Sequence, residues 1–340
     1  MQASACQLGL SRLSCLSYQT KMISKFTSKP LEHLQEETTV LRNQVRVGGV
    51  SLQFASVDSA AIALMPPLDQ FQIETGVPDI AIQVEWLREL PVSPARQLFD
   101  SGYTWRLYDA GSELRFDFFA PAFGRLPYKR LLINSEFSQA RLQMNENSFA
   151  GMTRVPSPLE YPLDELLIMH RLTQEKAIEL HGVGIVGPDG ASNLFVGHSG
   201  AGKSTTACLW SSLHDVEILS DDRIIVREDR VREDKVREEA NRIFMYGTPW
   251  HGEAAFALPG RAPLQRILVL EHGHGNVLTR LTRSEMVAEL FARSFVPFHR
   301  HEYVDSALTF LERVADSVPC YRYAFEPDQR AVERILNFHD

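Results

Sequence analysis

One glycine-rich segment, residues 197–205, constrains this chain more than any other part of the sequence. It satisfies the pattern G-x-x-x-x-G-K-[ST] in full. Residues 193–196 predict a short apolar strand before the segment, and residues 205–212 predict a helix after it. This pattern binds phosphate where a strand turns through a glycine-rich loop into a helix, so the order of elements indicates a nucleotide site.

The residue types within this segment suit phosphate. Glycine lets the backbone curl until successive N–H groups point at phosphate oxygens. We predict that the Lys203 ammonium contacts the β- and γ-phosphates and that the Ser204 hydroxyl binds Mg²⁺. We expect ATP to be held by the whole segment, which comprises Gly197, His198, Ser199, Gly200, Ala201, Gly202, Lys203, Ser204 and Thr205.

Two adjacent carboxylates follow a second predicted strand. Residues 217–220 form that strand, and Asp221 and Asp222 come directly after it. Ligands of parallel sheets gather at the carboxyl ends of the strands, so these side chains are expected to face the phosphates. One carboxylate can organise Mg²⁺ while the other accepts a proton from an attacking hydroxyl. The sequence leaves open which of them is the base, and Asp221 is our candidate metal ligand.

A histidine lies upstream, in a predicted hairpin that leads into the glycine-rich segment. Residues 179–186 and the strand at 193–196 flank a Pro-Asp-Gly turn signal. His181 stands near the start of the first of these strands. A lone histidine at such a position is usually structural, so its interpretation depends on its neighbours.

Three segments together resemble the HPr kinase/phosphorylase family and the wider group of HPr-kinase-like proteins. They are residues 180–183 (Leu-His-Gly-Val), residues 197–205, and residues 219–223 (Leu-Ser-Asp-Asp-Arg). The resemblance covers roughly residues 160–230 well and the remainder of the C-terminal part only loosely. It implies an α/β (α+β) fold: a P-loop kinase core of the HPr kinase/phosphoenolpyruvate carboxykinase type, with a smaller, mainly antiparallel β N-terminal domain.

The resemblance also implies roles for individual residues. His181 corresponds to the active-site histidine of the family, and Lys203 and Ser204 correspond to its phosphate and metal ligands. Asp221 and Asp222 correspond to its carboxylate pair, one member of which acts as base toward a serine hydroxyl. The resemblance further suggests assembly into homo-oligomers.

The sequence departs from the family after the carboxylates. In place of the family's Glu-Ile-Arg-Gly-Leu-Gly, residues 245–253 read Met-Tyr-Gly-Thr-Pro-Trp-His-Gly-Glu, which resembles the HPr-kinase-like subgroup. Glycine and proline predict a rigid loop here. Glu253 is a candidate metal contact and His251 a candidate phosphate contact. A structural loop with Trp250 as its apolar anchor is the equal alternative.

These features predict an ATP- and Mg²⁺-dependent kinase that transfers the γ-phosphoryl group to a hydroxyl. The expected acceptor is serine of a peptide, of a small protein or as a free amino acid. Carboxykinase-like chemistry on a keto acid, or nucleotide binding without turnover, are the alternatives. A cation must also neutralise the transferred group, and the sequence does not choose among Arg223, Arg266, Arg293 and Arg300.

Composition excludes several other classes of protein. The formal net charge of −8 argues against a general nucleic-acid surface, which needs an excess of Lys and Arg. No apolar run approaches the length of a membrane span. The four cysteines are scattered and suggest neither a disulfide framework nor a zinc site, so we expect a reducing cytoplasm.

Three regions are predicted along the 340 residues. Residues 1–43 form a flexible tail. Residues 44–155 form the β-rich N-terminal domain, and residues 156–340 form the P-loop domain, which starts with a helix over 163–180. A five-residue repeat at 226–239 predicts a solvated hairpin extension or a duplicated surface loop.

Overall fold

The structure is a computed structural model that describes residues 42–56, 62–74, 76–152, 157–232 and 239–339. The tail predicted over residues 1–43 lies outside these ranges, except for its last two residues. The described residues belong to one compact unit of mixed α/β structure built on two large sheets. None of the helices in these ranges has the length and apolar character needed to cross a membrane.

The first sheet has eight strands: β1 (Arg42–Val47), β2 (Val50–Ser56), β3 (Ile80–Leu87), β4 (Arg96–Asp100), β5 (Trp105–Asp109), β6 (Glu113–Phe118), β7 (Lys129–Asn134) and β8 (Gln139–Asn145). Their order is β1-β2-β3-β8-β7-β6-β5-β4. Strand β3 runs parallel to β2 and to β8, and the other neighbouring pairs are antiparallel. A mainly antiparallel sheet was predicted for this part of the chain.

Strand β6 shows why these residues form a sheet. Phe116 and Phe118 lie in the core, while Arg115 and Asp117 alternate with them and lie on the opposite face. Asp117 forms an ion pair with Arg130 of β7, with 2.6 Å between Oδ1 and Nε. The alternation gives the strand one apolar face for the core and one charged face.

The second sheet has ten strands: β9 (Ala177–Val186), β10 (Ser192–Val196), β11 (Glu217–Ser220), β12 (Arg223–Arg232), β13 (Glu239–Tyr246), β14 (Arg261–Pro263), β15 (Arg266–His272), β16 (Val277–Arg280), β17 (Ser294–Phe295) and β18 (Cys320–Phe325). The main order is β14-β13-β12-β9-β10-β15-β18-β16, and β11 and β17 also pair with β9. Strands β10, β15 and β18 are parallel. Strand β9 and strand β10 form the predicted antiparallel hairpin.

Five α-helices accompany the sheets in the described part of the chain: α1 (Leu163–Leu172), α2 (Lys203–Trp210), α3 (Arg283–Phe291), α4 (His301–Ser317) and α5 (Gln329–Leu336). Helices α3 and α4 pack on one face of the second sheet, and α2 and α5 pack on the other. Strand β10 contributes side chains to the cores on both faces of the sheet. Leu194 and Val196 belong to the core that includes α3 and α4, and Phe195 belongs to the core that includes α2 and α5. Helix α1 joins the core of the first sheet.

The helix predicted over residues 163–180 is shorter than expected. Helix α1 ends at Leu172, and strand β9 begins at Ala177. In the strand, Ile178 and Leu180 share one buried face while Glu179 is buried on the other. The prediction was wrong because apolar residues that alternate with a buried glutamate also fit helical spacing.

The described residues on either side of the five-residue repeat's centre lie in two paired strands. Strands β12 and β13 pair antiparallel from Ile225 opposite Tyr246 out to Arg232 opposite Glu239. Residues 233–238 lie outside the described ranges. The pairing agrees with the predicted hairpin extension.

Candidate functional site

The glycine-rich segment connects β10 to α2. Gly200 and Gly202 have φ of +82° and +100°, a conformation that other residues rarely adopt. A Cβ on Gly202 would also lie 2.3 Å from Cζ of Phe325 in β18. These glycines therefore let the loop turn sharply and lie close against the sheet. The side chains of His198 and Ser199 are exposed at its outer rim.

Lys203, the first residue of α2, lies within the loop that precedes it. Its ammonium donates hydrogen bonds of 3.0 Å to the carbonyl oxygens of Gly197 and of His198. Burial lowers the pKa of Lys203 to about 8, although the charge of Asp222 acts in the opposite direction. The ammonium is thus held in the loop and has no carboxylate partner at ion-pair distance among the described residues.

The hydroxyl residues after Lys203 occupy the first turn of α2. Ser204 is half-buried and Thr205 is exposed, whereas Thr206 is buried and donates its hydroxyl to the carbonyl of Gly202 at 3.0 Å. The N–H groups of a first helical turn have no partner within the helix, so they remain available to an anion. This end of α2 therefore suits phosphate, as the sequence motif predicts.

His181 and Asp222 form the polar pair of the site. Nε2 of His181 lies 3.0 Å from Oδ1 of Asp222, and both side chains are half-buried. The backbone fixes this pairing, because His181 is opposite Arg223 in the β9–β12 ladder and Gly182 donates its N–H to the carbonyl of Asp222. Burial raises the pKa of Asp222, but the hydrogen bond from His181 and the charges of Arg223 and Lys203 bring it below its ordinary value.

Asp221 has a different environment from its neighbour. It is 1% exposed and accepts three backbone N–H groups, from Gly252, Ala254 and Phe256, at 3.0, 2.9 and 3.1 Å. Its carboxylate therefore holds the loop that follows Trp250. The two predicted carboxylates are adjacent in the sequence, but they have different partners in the structure.

The other end of this loop is anchored by side chains. Trp250 donates its Nε1–H to Oδ2 of Asp164 in α1 at 2.8 Å, and Thr248 donates its hydroxyl to the carbonyl of Arg223. Trp250 is buried in the core of the first sheet, as the predicted apolar anchor would be. His251 is half-buried and Glu253 is exposed.

The candidate metal ligands do not form a preformed cluster. No hydrogen bond or ion pair joins Ser204, Asp221 and Glu253. Across the described residues, no three His, Cys, Asp or Glu side chains are arranged to hold a metal ion. Of the three, Ser204 is half-buried in the first turn of α2, directly after Lys203.

The four candidate arginines differ in their partners and in their contact with the site. Arg266 packs over Phe338, and Arg300 lies over Tyr303. Arg293 is nearer the site and acts electrostatically on Lys203, but its guanidinium binds Glu289 at 2.5 Å. Arg223 alone among the four has an ion-pair contact with Asp222, with 3.5 Å between Nε and Oδ2.

Two acidic residues beside Arg223 were missed by the sequence analysis. Nε of Arg223 lies 3.1 Å from Oε1 of Glu165 and 3.6 Å from Oε1 of Glu179. The guanidinium also lies over the ring of Phe295, 3.7 Å from its centroid. A charged residue inside an apolar strand, as Glu179 is, was the signal available in the sequence.

Comparison with protein-family models gives no match for this chain, and comparison with curated proteins gives none either.

Proposed function

We propose that this chain is an HPr-kinase-like enzyme that transfers the γ-phosphoryl group of ATP to a hydroxyl acceptor. The observation that carries the proposal is the Asp222–His181 pair, 3.0 Å apart and within electrostatic reach of Lys203. A proton acceptor beside a phosphate-binding loop is the combination that hydroxyl phosphorylation needs. Nucleotide binding alone would not need the carboxylate.

The loop and α2 supply the binding part of this proposal. Backbone N–H groups of residues 197–202 and the first turn of α2 would face the phosphates, and the Lys203 ammonium would leave its two carbonyl partners to contact them. The half-buried Ser204 hydroxyl fits a Mg²⁺ ligand. Mg²⁺, when bound, would neutralise charge on the phosphates.

Asp222 supplies the chemical part. Its carboxylate is ionised at neutral pH, and its 29% exposed side chain is within reach of an acceptor hydroxyl beside the loop. The acceptor oxygen forms a bond to the γ-phosphorus, its proton passes to Asp222, and the bond from the γ-phosphorus to the bridging oxygen of ADP breaks. His181 orients Asp222 through its Nε2. Asp221 holds the loop instead of acting as the base.

The class of acceptor rests on the sequence resemblance. Serine of a peptide, of a small protein or as a free amino acid is the acceptor that this resemblance favours. Arg223 is the arginine best placed to act beside the transferred group, because it contacts Asp222.

The proposal is tested with purified protein, γ-labelled ATP and a panel of serine-bearing peptides, proteins and free serine. We expect labelled product from the wild type and none from Lys203→Met, because the loop then lacks its cation. Lys176→Met is the matched control, since Lys176 is half-exposed and pairs with Glu228. Tight ATP binding with neither transfer nor hydrolysis would contradict the proposal and favour a nucleotide-binding module.

A further inference from the structure

Two buried glutamates and the half-buried Arg223 meet beside Asp222. Glu165 comes from α1, Glu179 from β9 and Arg223 from β12. Glu179 is 0% exposed and Glu165 is 8% exposed. With Asp222 included, three carboxylates lie within 3.1–3.6 Å of a single Nε atom of Arg223.

The charges in this group do not balance if every carboxylate is ionised. Neither oxygen of Glu179 accepts a hydrogen bond from any residue that the structure describes. An ionised carboxylate that is fully buried without a hydrogen-bond donor is strongly disfavoured. One guanidinium would also face three negative charges.

The surroundings of Glu179 favour its neutral form. Burial and the charge of Glu165 raise its pKa well above its ordinary value, and the charge of Arg223 offsets this only in part. The charge of Asp222 raises the pKa of Glu179 further. Besides these three carboxyl groups, Tyr161 also acts electrostatically on Arg223. Two adjacent carboxyls in a site of low polarity commonly bind one proton between them.

We propose that Glu165 and Glu179 share one proton and act as a single negative charge that positions Arg223 against Asp222. Arg223 is then held in place by the pair and stacked on Phe295, with its Nε 3.5 Å from Asp222. Glu165 and Glu179 are positioning residues. Their effect on catalysis rests on the proposed phosphoryl transfer, whereas the shared proton does not.

This charge count makes an unusual prediction for glutamine substitutions. Glu165→Gln and Glu179→Gln each leave one carboxylate, which can ionise, so the pair keeps its total charge. The double variant loses that charge and leaves Arg223 with only Asp222 as a partner. We therefore expect each single variant to lose little stability and little activity. Glu179→Gln should lose less than Glu165→Gln, because the carboxyl that remains, Glu165, is the less buried of the two. The double variant should lose more than the two single effects combined.

The test is a double-mutant cycle read by urea unfolding and by transfer kinetics. The unfolding equilibrium constant of the double variant should exceed the product of the single effects by at least about tenfold. Its kcat should fall below the product of the single effects by a similar factor, with KM for ATP little changed. Glu113→Gln is the control, because Glu113 forms an exposed pair with Arg141. Additive losses would overturn the shared proton.

Infrared difference spectra decide the same point without any activity. The wild type should show a protonated-carboxyl band that disappears in Glu165→Gln and equally in Glu179→Gln. Each single variant keeps one ionised carboxylate beside Arg223. The infrared measurement needs only the wild type and these two variants, so it can be made even if the double variant does not fold. Absence of a band sensitive to these substitutions would overturn the inference. If the band and the unfolding cycle behave as expected but no acceptor is phosphorylated, only the proposed function fails.

Discussion

At the residue scale, Asp221 and Asp222 show how surroundings determine the role of a carboxylate. Asp221 is buried and its oxygens receive three backbone N–H groups. Asp222 is half-buried and meets His181, Arg223 and the field of Lys203. The side chain of Asp221 is 1% exposed and that of Asp222 is 29% exposed, so an acceptor hydroxyl can reach only Asp222, and we assign the chemistry to it.

The Lys203 ammonium should make nucleotide binding depend on pH. Its pKa of about 8 in the free protein means that it loses its charge as pH rises through that value. Phosphate binding requires the charged form, so affinity for Mg-ATP should weaken above about pH 8, by up to about tenfold per pH unit. Calorimetric titration between pH 7 and pH 9.5 measures this and the associated proton uptake.

Lys203→Arg provides the comparison for this titration, because a guanidinium stays charged across the same range. Its affinity should change little between pH 8 and pH 9.5. An equal loss of affinity in wild type and Lys203→Arg would assign the pH dependence to another group.

The glycine-rich loop between β10 and α2 and the pair of aspartates after β11 could be predicted at this scale, whereas the meeting of the two buried glutamates with Arg223 could not. A phosphate-binding pattern is local, since its spacing within one segment determines its chemistry. Glu165 and Glu179 are 14 positions apart in the sequence and meet Arg223 only through the packing of α1 against β9. The spacing of these residues in the sequence does not predict that they lie next to Arg223.

At the element scale, the loop over residues 247–256 is tied to the rest of the site at two places. Trp250 binds Asp164 of α1, and Asp221 receives the N–H groups further along. Proline and glycine predicted a rigid loop, but the partners that hold it come from distant segments. This is also why Glu253 could not be placed from sequence, and it proves to be exposed.

Asp164 should make stability depend on pH through this loop anchor. Burial raises its pKa from 3.8 to about 7, despite the opposing hydrogen bond from Trp250. The folded state therefore holds a proton that the unfolded state lacks between those values. Stability from this group is present at low pH and is lost as pH rises toward 7, by at most about 1.4 kcal/mol per pH unit.

Asp164→Asn removes this contribution while its carbonyl can still accept the Trp250 N–H. The difference in free energy of unfolding between wild type and variant, measured from pH 4.5 to pH 7, should change steadily in favour of Asp164→Asn. Asp305→Asn, in the exposed part of α4, should show no such trend. Parallel curves for wild type and Asp164→Asn would contradict the raised pKa.

At the scale of the whole molecule, the site lies where the two sheets adjoin. Ile225 of β12 and Trp250 belong to the same core as the first sheet and α1. Arg227 of β12 donates to the carbonyl of Gly48 at 3.2 Å, next to the first sheet. Glu165 and Asp164 reach the site from α1, which packs on that sheet, so the β-rich N-terminal part supports the site from behind.

Part of the element order could be predicted because its signals are local, including the hairpin of β9 and β10 and the β-rich character of residues 44–155. The two parallel pairings of β3 could not, since its neighbours β2 and β8 are set by contacts between distant segments. The amino-acid composition likewise does not predict that the first sheet and β12 share one core.

The most direct test of phosphoryl transfer at this site compares Asp222→Asn with Asp221→Asn, measuring transfer rate, Mg-ATP affinity and thermal unfolding for each. Asp222→Asn should lose at least about 100-fold in kcat because the base is removed, and its losses in stability and in Mg-ATP affinity should be smaller than that loss of rate, since the amide oxygen can still accept a hydrogen bond from His181. Asp221→Asn should chiefly lose stability, by about 2 kcal/mol or more, since buried N–H groups lose a charged acceptor. Wild-type transfer by Asp222→Asn would contradict the assignment of the base and, with it, the proposed mechanism.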